Sequence, residues 1–119
     1  MDDLYKLALF YDFYGELLTK SQRQIYGLHV IDDLSFSEIA VSLGLSRQAI
    51  HDSVGRTKKK LEAYEDKLRL VERFVTIKSN VKEIETVLTA YENKERSQES
   101  YLEMMEKIRG IAQEILEDI

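Results

Sequence analysis

The segment "SFSEIAVSLGLSRQAIHDSVGRTKKK", residues 35–60, decides the fold of this chain. Two short apolar patterns meet at Gly44, and a run of basic residues closes the segment. Ala40 is small enough for a second helix to cross closely over the first, and Gly44 tolerates the left-handed backbone of a tight turn. Ser46 is a good N-cap for a helix that begins at Arg47. This order of short helix, glycine turn and second helix predicts a helix-turn-helix.

Two capping boxes mark helix starts in and before this segment. Ser35 with Glu38 predicts the start of the first helix of the helix-turn-helix, and Thr19 with Gln22 predicts the start of the helix before it. We expect Leu45, just after the glycine, and Ile50 to fill the angle between the two helices.

Downstream, the pattern predicts long helices. No breaker follows Arg47 until residues 78–80, so we expect one helix of about 30 residues. Asn80 with Glu83 is then expected to cap the next helix. That helix carries a heptad-like apolar seam: Val81, Ile84, Leu88 and Tyr91. Residues 92–100 are the expected loop, and the last helix has an apolar stripe wide enough to pack against more than one neighbour.

The outward face of the second helix carries the candidate contacts to nucleic acid. Arg47, Gln48 and His51 are expected to face bases, because Arg can donate two hydrogen bonds to guanine and Gln can pair with adenine. Four side chains are expected to face phosphates, which fix the register on the duplex: Ser46, Arg56, Lys58 and Lys59. Ala40 and Gly44 are the structural residues of the turn.

Two residues complicate this face. Asp52 would repel phosphates, although it could instead accept a hydrogen bond from a cytosine amino group or orient Arg56. Gly55 lies inside the helix, where glycine costs roughly 1 kcal/mol against alanine. It either allows a close backbone approach to a partner, which we favour, or is merely tolerated.

Charge is unevenly distributed along the chain. The 119 residues have a net charge of -5, yet residues 46–60 carry five basic side chains against one acidic one. Residues 61–119 carry 9 basic and 14 acidic side chains. The basic patch is therefore local, and the acidic excess lies in the C-terminal half.

Several functional classes find no support in the sequence. There are no Cys residues, and the two His, His29 and His51, form no metal-binding spacing, so no metal or cofactor is expected. We expect His29 to be a hydrogen-bonded structural residue. No nucleophile is paired with a base, so no catalytic residue is expected and the chain is not predicted to be an enzyme. No apolar run approaches the roughly 20 residues of a membrane span, and a cytoplasmic location is expected.

The segment also resembles known families. Residues 18–61 resemble region 4 of bacterial sigma factors, the part that reads promoter DNA. The first 70 or so residues, from "LFYDFYGELLTKSQ" through "SRQAIHDSVGRTKKKLEAYEDKL", resemble the YlxM-like family of small bacterial helix-turn-helix proteins. The motifs "SRQAIHDS" and "YEDKL" stand at that family's spacing. This resemblance implies a DNA-binding regulator linked to the signal recognition particle pathway.

The expected fold is all-α: a sigma-region-4-like helix-turn-helix, then a long helix and a C-terminal helical portion. Residues 1–61 would form a helix-turn-helix domain of the sigma-region-4 or winged-helix kind. Residues 62–119 would form the long helix and antiparallel C-terminal helices, used for packing or self-association, or would continue the same domain.

The leading hypothesis is a regulator that binds duplex DNA, acting as a homo-oligomer, with a dimer favoured. Two alternatives stay open. The helix-turn-helix could be the scaffold of a protein-interaction module, or its basic patch could bind RNA, including that of the signal recognition particle.

Overall fold

The computed structural model describes residues 3–93 and 97–118, and most of these are helical. The elements in chain order are α1 (Asp3–Tyr14), a 3-10 turn (Gly15–Leu17), α2 (Lys20–Val30), α3 (Phe36–Leu43), α4 (Arg47–Leu68), α5 (Leu70–Glu92) and α6 (Gln98–Asp118). These described ranges contain no strand, which confirms the all-α prediction and leaves no β-wing there. Contacts divide the chain into two compact units, Met1–Val71 and Glu72–Ile119.

The first unit has a core built around α4. Helices α1, α2 and α3 all pack against α4, and each contributes buried apolar side chains. The core consists of Leu9, Phe10, Tyr14, Leu18, Ile25, Tyr26, Val30, Ile39, Ala40, Ile50, Val54 and Leu61. Burying one large apolar side chain is worth about 1.5–3 kcal/mol, so this core fixes how the helix-turn-helix is held.

Both capping boxes predicted from the sequence are confirmed. The Thr19 hydroxyl accepts from the Gln22 amide at 3.2 Å, and the Gln22 side chain accepts from the Thr19 amide at 3.1 Å. Ser35 and Glu38 make the same reciprocal pair at 3.1 and 3.0 Å. Hydrogen bonds from the Ser35 backbone amide, and then from its side chain, lower the pKa of Glu38.

The turn between α3 and α4 forms as predicted. Gly44 has φ +69° and ψ 33°, and the amides of Gly44 and Leu45 both donate to the Ala40 carbonyl. The Ser46 hydroxyl accepts a backbone amide of the first turn of α4 at 3.0 Å. Of the two residues expected between the helices, Ile50 is fully buried, but Leu45 is 48% exposed, so the expectation is wrong for Leu45.

The expected helix of about 30 residues from Arg47 is also wrong. Helix α4 ends at Leu68, Arg69 adopts a left-handed backbone with φ +54°, and α5 begins at the next residue. Helix α5 then continues through residues 78–80, where the sequence suggested a break. Asn80 therefore does not cap a helix; it lies inside α5 with 8% of its surface exposed.

Two side chains of the first unit hold this break in place. The Tyr14 hydroxyl donates to the Glu65 carboxylate and accepts from the Leu70 amide at 3.1 Å. The same Glu65 oxygen accepts from the Val71 amide at 3.0 Å. Amides at a helix start have no partner within the helix, and here Tyr14 and Glu65 supply one. We call these bonds the Tyr14–Glu65 cap.

The second unit is a hairpin of α5 and α6. Helix α5 ends at Glu92 and α6 begins at Gln98, so residues 98–100 of the expected loop are helical, whereas residues 94–96 of that loop lie outside the described residues. The rings of Tyr91 and Tyr101 lie 6.4 Å apart in an edge-on contact, and the helices run antiparallel on either side of a cleft. In α6 Ile111 is buried, whereas Tyr101, Met105 and Leu116 are exposed, so the packing of its apolar stripe against more than one neighbour stays a prediction.

None of the described helices is both long enough and apolar enough to cross a membrane.

Candidate nucleic-acid interface

The orientation of α4 is set by one buried row of side chains. Ile50, Thr57 and Leu61 have no exposed surface, and Val54 between them is 8% exposed. These residues recur at three- and four-residue spacing, so they share one face of the helix. The opposite face of α4, immediately after the Gly44 turn, is consequently presented to solvent.

The three predicted base-facing residues all lie on exposed positions of this helix. Arg47, Gln48 and His51 belong to its first turn and a half, which begins at the Ser46 cap. The N-terminal end of a helix carries a partial positive charge, which favours an approaching phosphate backbone. The structure therefore brings these residues together at a projecting, electropositive helix end.

A residue that sequence reasoning missed organises this end. The Phe36 ring lies under the Arg47 guanidinium at 5.9 Å and meets the His51 ring edge-on at 5.8 Å. On its other side, the His29 ring is 4.7 Å away, and His29 Nδ1 is 2.9 Å from the Leu34 carbonyl oxygen. A cation over an aromatic face gains about 0.5–1 kcal/mol at an exposed site. Phe36 thus restricts the side-chain conformations of Arg47 and His51 before any partner binds. In the sequence, the only indication of this role is that Phe36 is the first residue of α3.

Asp52 is engaged differently from the expectation. The Gln48 side-chain amide donates to Asp52 Oδ1 at 3.0 Å, and His51 Nδ1 lies 3.3 Å from the same oxygen. Of the alternatives for Asp52, the orientation of Arg56 is not what the structure shows, because Asp52 Oδ1 is engaged by Gln48 and His51. Gln48 and Asp52 are four residues apart, a spacing at which helical side chains meet. This bond fixes the orientation of the Gln48 side-chain amide. The Asp52 carboxylate also lowers the local positive charge.

The four predicted phosphate-facing residues are all exposed: Ser46, Arg56, Lys58 and Lys59. Lys60, next in the basic run, is half-buried and donates to Gln22 Oε1 at 3.3 Å, so it ties α4 to α2. Within the described residues, Lys58 and Lys59 form no ion pair. Their charges are thus available to an anion.

The spacing of these groups along α4 matches a duplex. At 1.5 Å per residue, Arg47 and Lys59 are about 18 Å apart along the helix axis. The major groove is about 12 Å wide, so a helix whose N-terminal end lies in the groove has residues some three turns later near the phosphates beside it. The first turn can reach bases while Lys58 and Lys59 reach the backbone.

Gly55 lies between these two groups on the exposed face. A Cβ atom built on Gly55 meets no atom within 4 Å. Nothing within the described residues therefore requires a glycine at this position.

Within residues 3–93 and 97–118, no three His, Asp or Glu side chains are grouped so that they could hold a metal ion.

A sequence model of the family described as "UPF0122: Putative helix-turn-helix protein, YlxM / p13 like" matches residues 1–100. The chain belongs to the UPF0122 family. The match includes the entire helix-turn-helix and all of α5, and it confirms the resemblance to YlxM-like proteins drawn from the sequence.

Individual UPF0122 proteins are similar over most of the chain. That of Desulforamulus reducens is 38% identical over 117 residues, covering 98% of this chain and 96% of the relative. A UPF0122 protein of Shouchella clausii is 40% identical over 90 residues, covering 76% and 83%. That of Acetivibrio thermocellus is 44% identical over 84 residues, covering 71% and 72%.

Proposed function

We propose that this UPF0122 protein is a non-enzymatic regulator that binds duplex DNA in the cytoplasm. The observation that carries the proposal is the exposed N-terminal face of α4, with Arg47 and His51 arranged on Phe36 directly after a helix-turn-helix turn. Side chains of this kind, on the second helix of such a motif, read bases in the major groove.

The charges support the same reading. Arg56, Lys58 and Lys59 project where phosphates would flank the groove, and the rest of the chain is acidic. The logarithm of the binding constant falls linearly with the logarithm of the salt concentration, with a slope of about -0.9 for each neutralised phosphate. Three phosphate contacts predict a slope of about -3, which means weak and salt-sensitive binding by one copy.

The test is a binding survey of the purified protein. Affinities for genomic duplex fragments are measured by fluorescence anisotropy at two salt concentrations, for wild type and for Arg47→Ala with Lys58→Ala. We expect the double variant to bind at least about 10-fold more weakly, with a shallower salt slope. The matched control, Lys67→Ala with Arg23→Ala, removes one Lys and one Arg outside the face and should bind like wild type. Unchanged affinity of the first variant would refute the proposal.

Asp52 provides a test in the opposite direction. Asp52→Ala removes a negative charge from among the proposed phosphate contacts, so duplex affinity should rise about three- to tenfold. Asp66→Ala removes an exposed carboxylate further along α4 and should have a much smaller effect. A loss of affinity in Asp52→Ala would show instead that its bond to Gln48 is needed for binding.

The link to the signal recognition particle, and regulation of transcription, rest on the family resemblance. The same basic face could bind the A-form helix of double-stranded RNA. The RNA of the signal recognition particle is therefore a second ligand in the binding survey. Few aromatic side chains are exposed near the patch, which favours duplex over single-stranded nucleic acid. Tighter binding to the particle's RNA or protein subunits than to any DNA fragment would replace the DNA proposal.

One further observation favours a protein-interaction module. A surface groove of about 490 Å³ runs beside α2, with Tyr11, Leu28 and Ile31 among its lining residues. Lys20 and Arg23 also line it, against one carboxylate, Asp32, so the net positive groove suits an acidic segment with apolar side chains. An Arg23→Glu variant that binds DNA normally but fails to bind a protein of the particle would favour this second function.

A homodimer is part of the proposal. A single helix-turn-helix makes few phosphate contacts, whereas two copies can bind two half-sites about 34–36 Å apart.

A further inference from the structure

The hairpin of α5 and α6 exposes apolar side chains along both helices. On α5, Ile77, Val81 and Leu88 are 36%, 46% and 40% exposed. On α6, three further side chains are 46%, 38% and 71% exposed: Tyr101, Met105 and Leu116. We call these six residues the hairpin face. Contiguous exposed apolar surface of this kind marks an interaction site.

The two rows lie on the same side of the hairpin. The cleft between the helices is lined by Val87 of α5 and Met104 of α6. The exposed row includes the residue that follows each of these two, Leu88 after Val87 and Met105 after Met104. One residue along an α-helix is a rotation of about 100° about its axis. The same rotation in two antiparallel helices turns both rows to one side, so the six residues form one continuous face.

We infer that the hairpin face is the surface through which two copies of this chain pair, with the two α5 helices antiparallel. The spacing of the α5 row supports a helical partner. Val81 and Leu88 are seven residues apart, and with Ile84 they follow the heptad spacing by which helices pack against each other.

The charges on α5 favour a second copy in this orientation. Its N-terminal half carries three basic side chains, Arg73, Lys78 and Lys82, against one acidic side chain, Glu72, whereas every charge in residues 83–92 is acidic. Antiparallel pairing places the basic half of each α5 opposite the acidic half of the other. A two-fold axis near Val81 brings Lys78 of one copy to Glu85 of the other. Parallel pairing would instead set like charges side by side.

The size of the face is also suitable. A helix of 23 residues is about 35 Å long, and two helices side by side are about 20 Å wide. The hairpin face therefore offers about 700 Å² per copy, close to the roughly 800 Å² per partner of a stable protein interface.

Sedimentation velocity over a concentration series tests the pairing. The wild type should dimerise at micromolar concentrations, and Val81→Glu should raise the dimer dissociation constant by about 100-fold or more, since two unpaired carboxylates meet near the axis. Val41→Glu is the matched control, because Val41 is an 85% exposed helical valine in the first unit. Circular dichroism verifies that both variants are folded. A monomeric wild type at high micromolar concentration, or an unchanged dimer in Val81→Glu, would overturn the inference.

A charge exchange tests the orientation. Lys78→Glu alone and Glu85→Lys alone should each weaken the dimer about three- to tenfold, and the two together should restore it. Because the chain has no Cys, single-cysteine variants give a second test. Lys78→Cys mixed with Glu85→Cys should form the mixed disulfide in preference to either homodisulfide. Preferential homodisulfides would show parallel pairing and contradict the inference.

These measurements contain no nucleic acid, so their failure is distinct from failure of DNA binding. The inference extends the homodimer of the proposed function by naming its surface and its orientation.

Discussion

Replacing Tyr14 with Phe should strongly destabilise the first unit, whereas the same replacement at Tyr26 should not. Both side chains are 1% exposed in the same core. The Tyr14 hydroxyl donates to Glu65 and accepts from the Leu70 amide, as part of the Tyr14–Glu65 cap. The Tyr26 hydroxyl is buried with no hydrogen-bond partner in the described part of the chain.

The magnitudes follow from these partners. A hydrogen bond to a charged group is worth about 1.5–3 kcal/mol and a neutral one about 1 kcal/mol. Tyr14→Phe loses one of each, so we expect a loss of about 3 kcal/mol in the free energy of unfolding. A buried hydroxyl without a partner costs about 1–3 kcal/mol, so Tyr26→Phe should leave stability unchanged or raise it by about 1 kcal/mol.

Urea unfolding followed by circular dichroism measures both values. Tyr5→Phe is the control, because Tyr5 lies on the same helix as Tyr14 and is 45% exposed. Its effect should stay within about 0.5 kcal/mol. Hydrogen exchange adds a local reading, since the Leu70 and Val71 amides should lose protection in Tyr14→Phe.

The reasoning would be refuted if Tyr14→Phe cost less than about 1 kcal/mol, or if both core variants lost equal stability. Because both variants keep the aromatic ring, equal losses would mean that the hydrogen-bond partners of the two hydroxyls do not set the stability difference.

Burial, followed by the charge of Glu62, raises the pKa of Tyr26 to about 12. Tyr26 in the unfolded chain ionises near pH 10, so the contribution of its raised pKa to the free energy of unfolding is complete below about pH 10 and is lost as the pH rises towards about 12. Urea unfolding across that range should show a flatter decline in stability for Tyr26→Phe. Gly55→Ala should stabilise the protein by about 1 kcal/mol in thermal unfolding, because its Cβ meets nothing. Gly27→Ala should destabilise by about 1 kcal/mol, because its Cβ would lie 2.6 Å from the Tyr11 hydroxyl, and equal effects at the two glycines would contradict this. Gly44→Ala should cost about 1–2 kcal/mol from its positive φ alone, and Gly44→Asn should cost less.

What the sequence predicts well is local. The boxes at Thr19 and Ser35 and the turn at Gly44 depend on residues three or four positions apart, so their chemistry is visible in the sequence. The bond between Gln48 and Asp52 has the same four-residue spacing and could have been read from it.

What the sequence did not predict depends on distant partners. Arg69 interrupts a segment with no Gly or Pro, and the cap that holds the break comes from Tyr14, more than fifty residues earlier. A local pattern cannot reveal such a stop, which is why α4 and α5 were expected to be one helix.

The arrangement around Phe36 was missed for the same reason. It brings together His29 from α2 and Arg47 from α4. Each helix was recognised separately, but only the packing of three helices places these side chains on one ring.

The central claim is that the N-terminal face of α4 contacts duplex DNA. Titrating the isotope-labelled protein with a genomic duplex, and following its backbone amides by NMR, tests this residue by residue. We expect the largest shift changes between Ser46 and Lys59, with little change in α6. Changes centred on the α2 groove or on the hairpin face, or none at millimolar duplex, would contradict it.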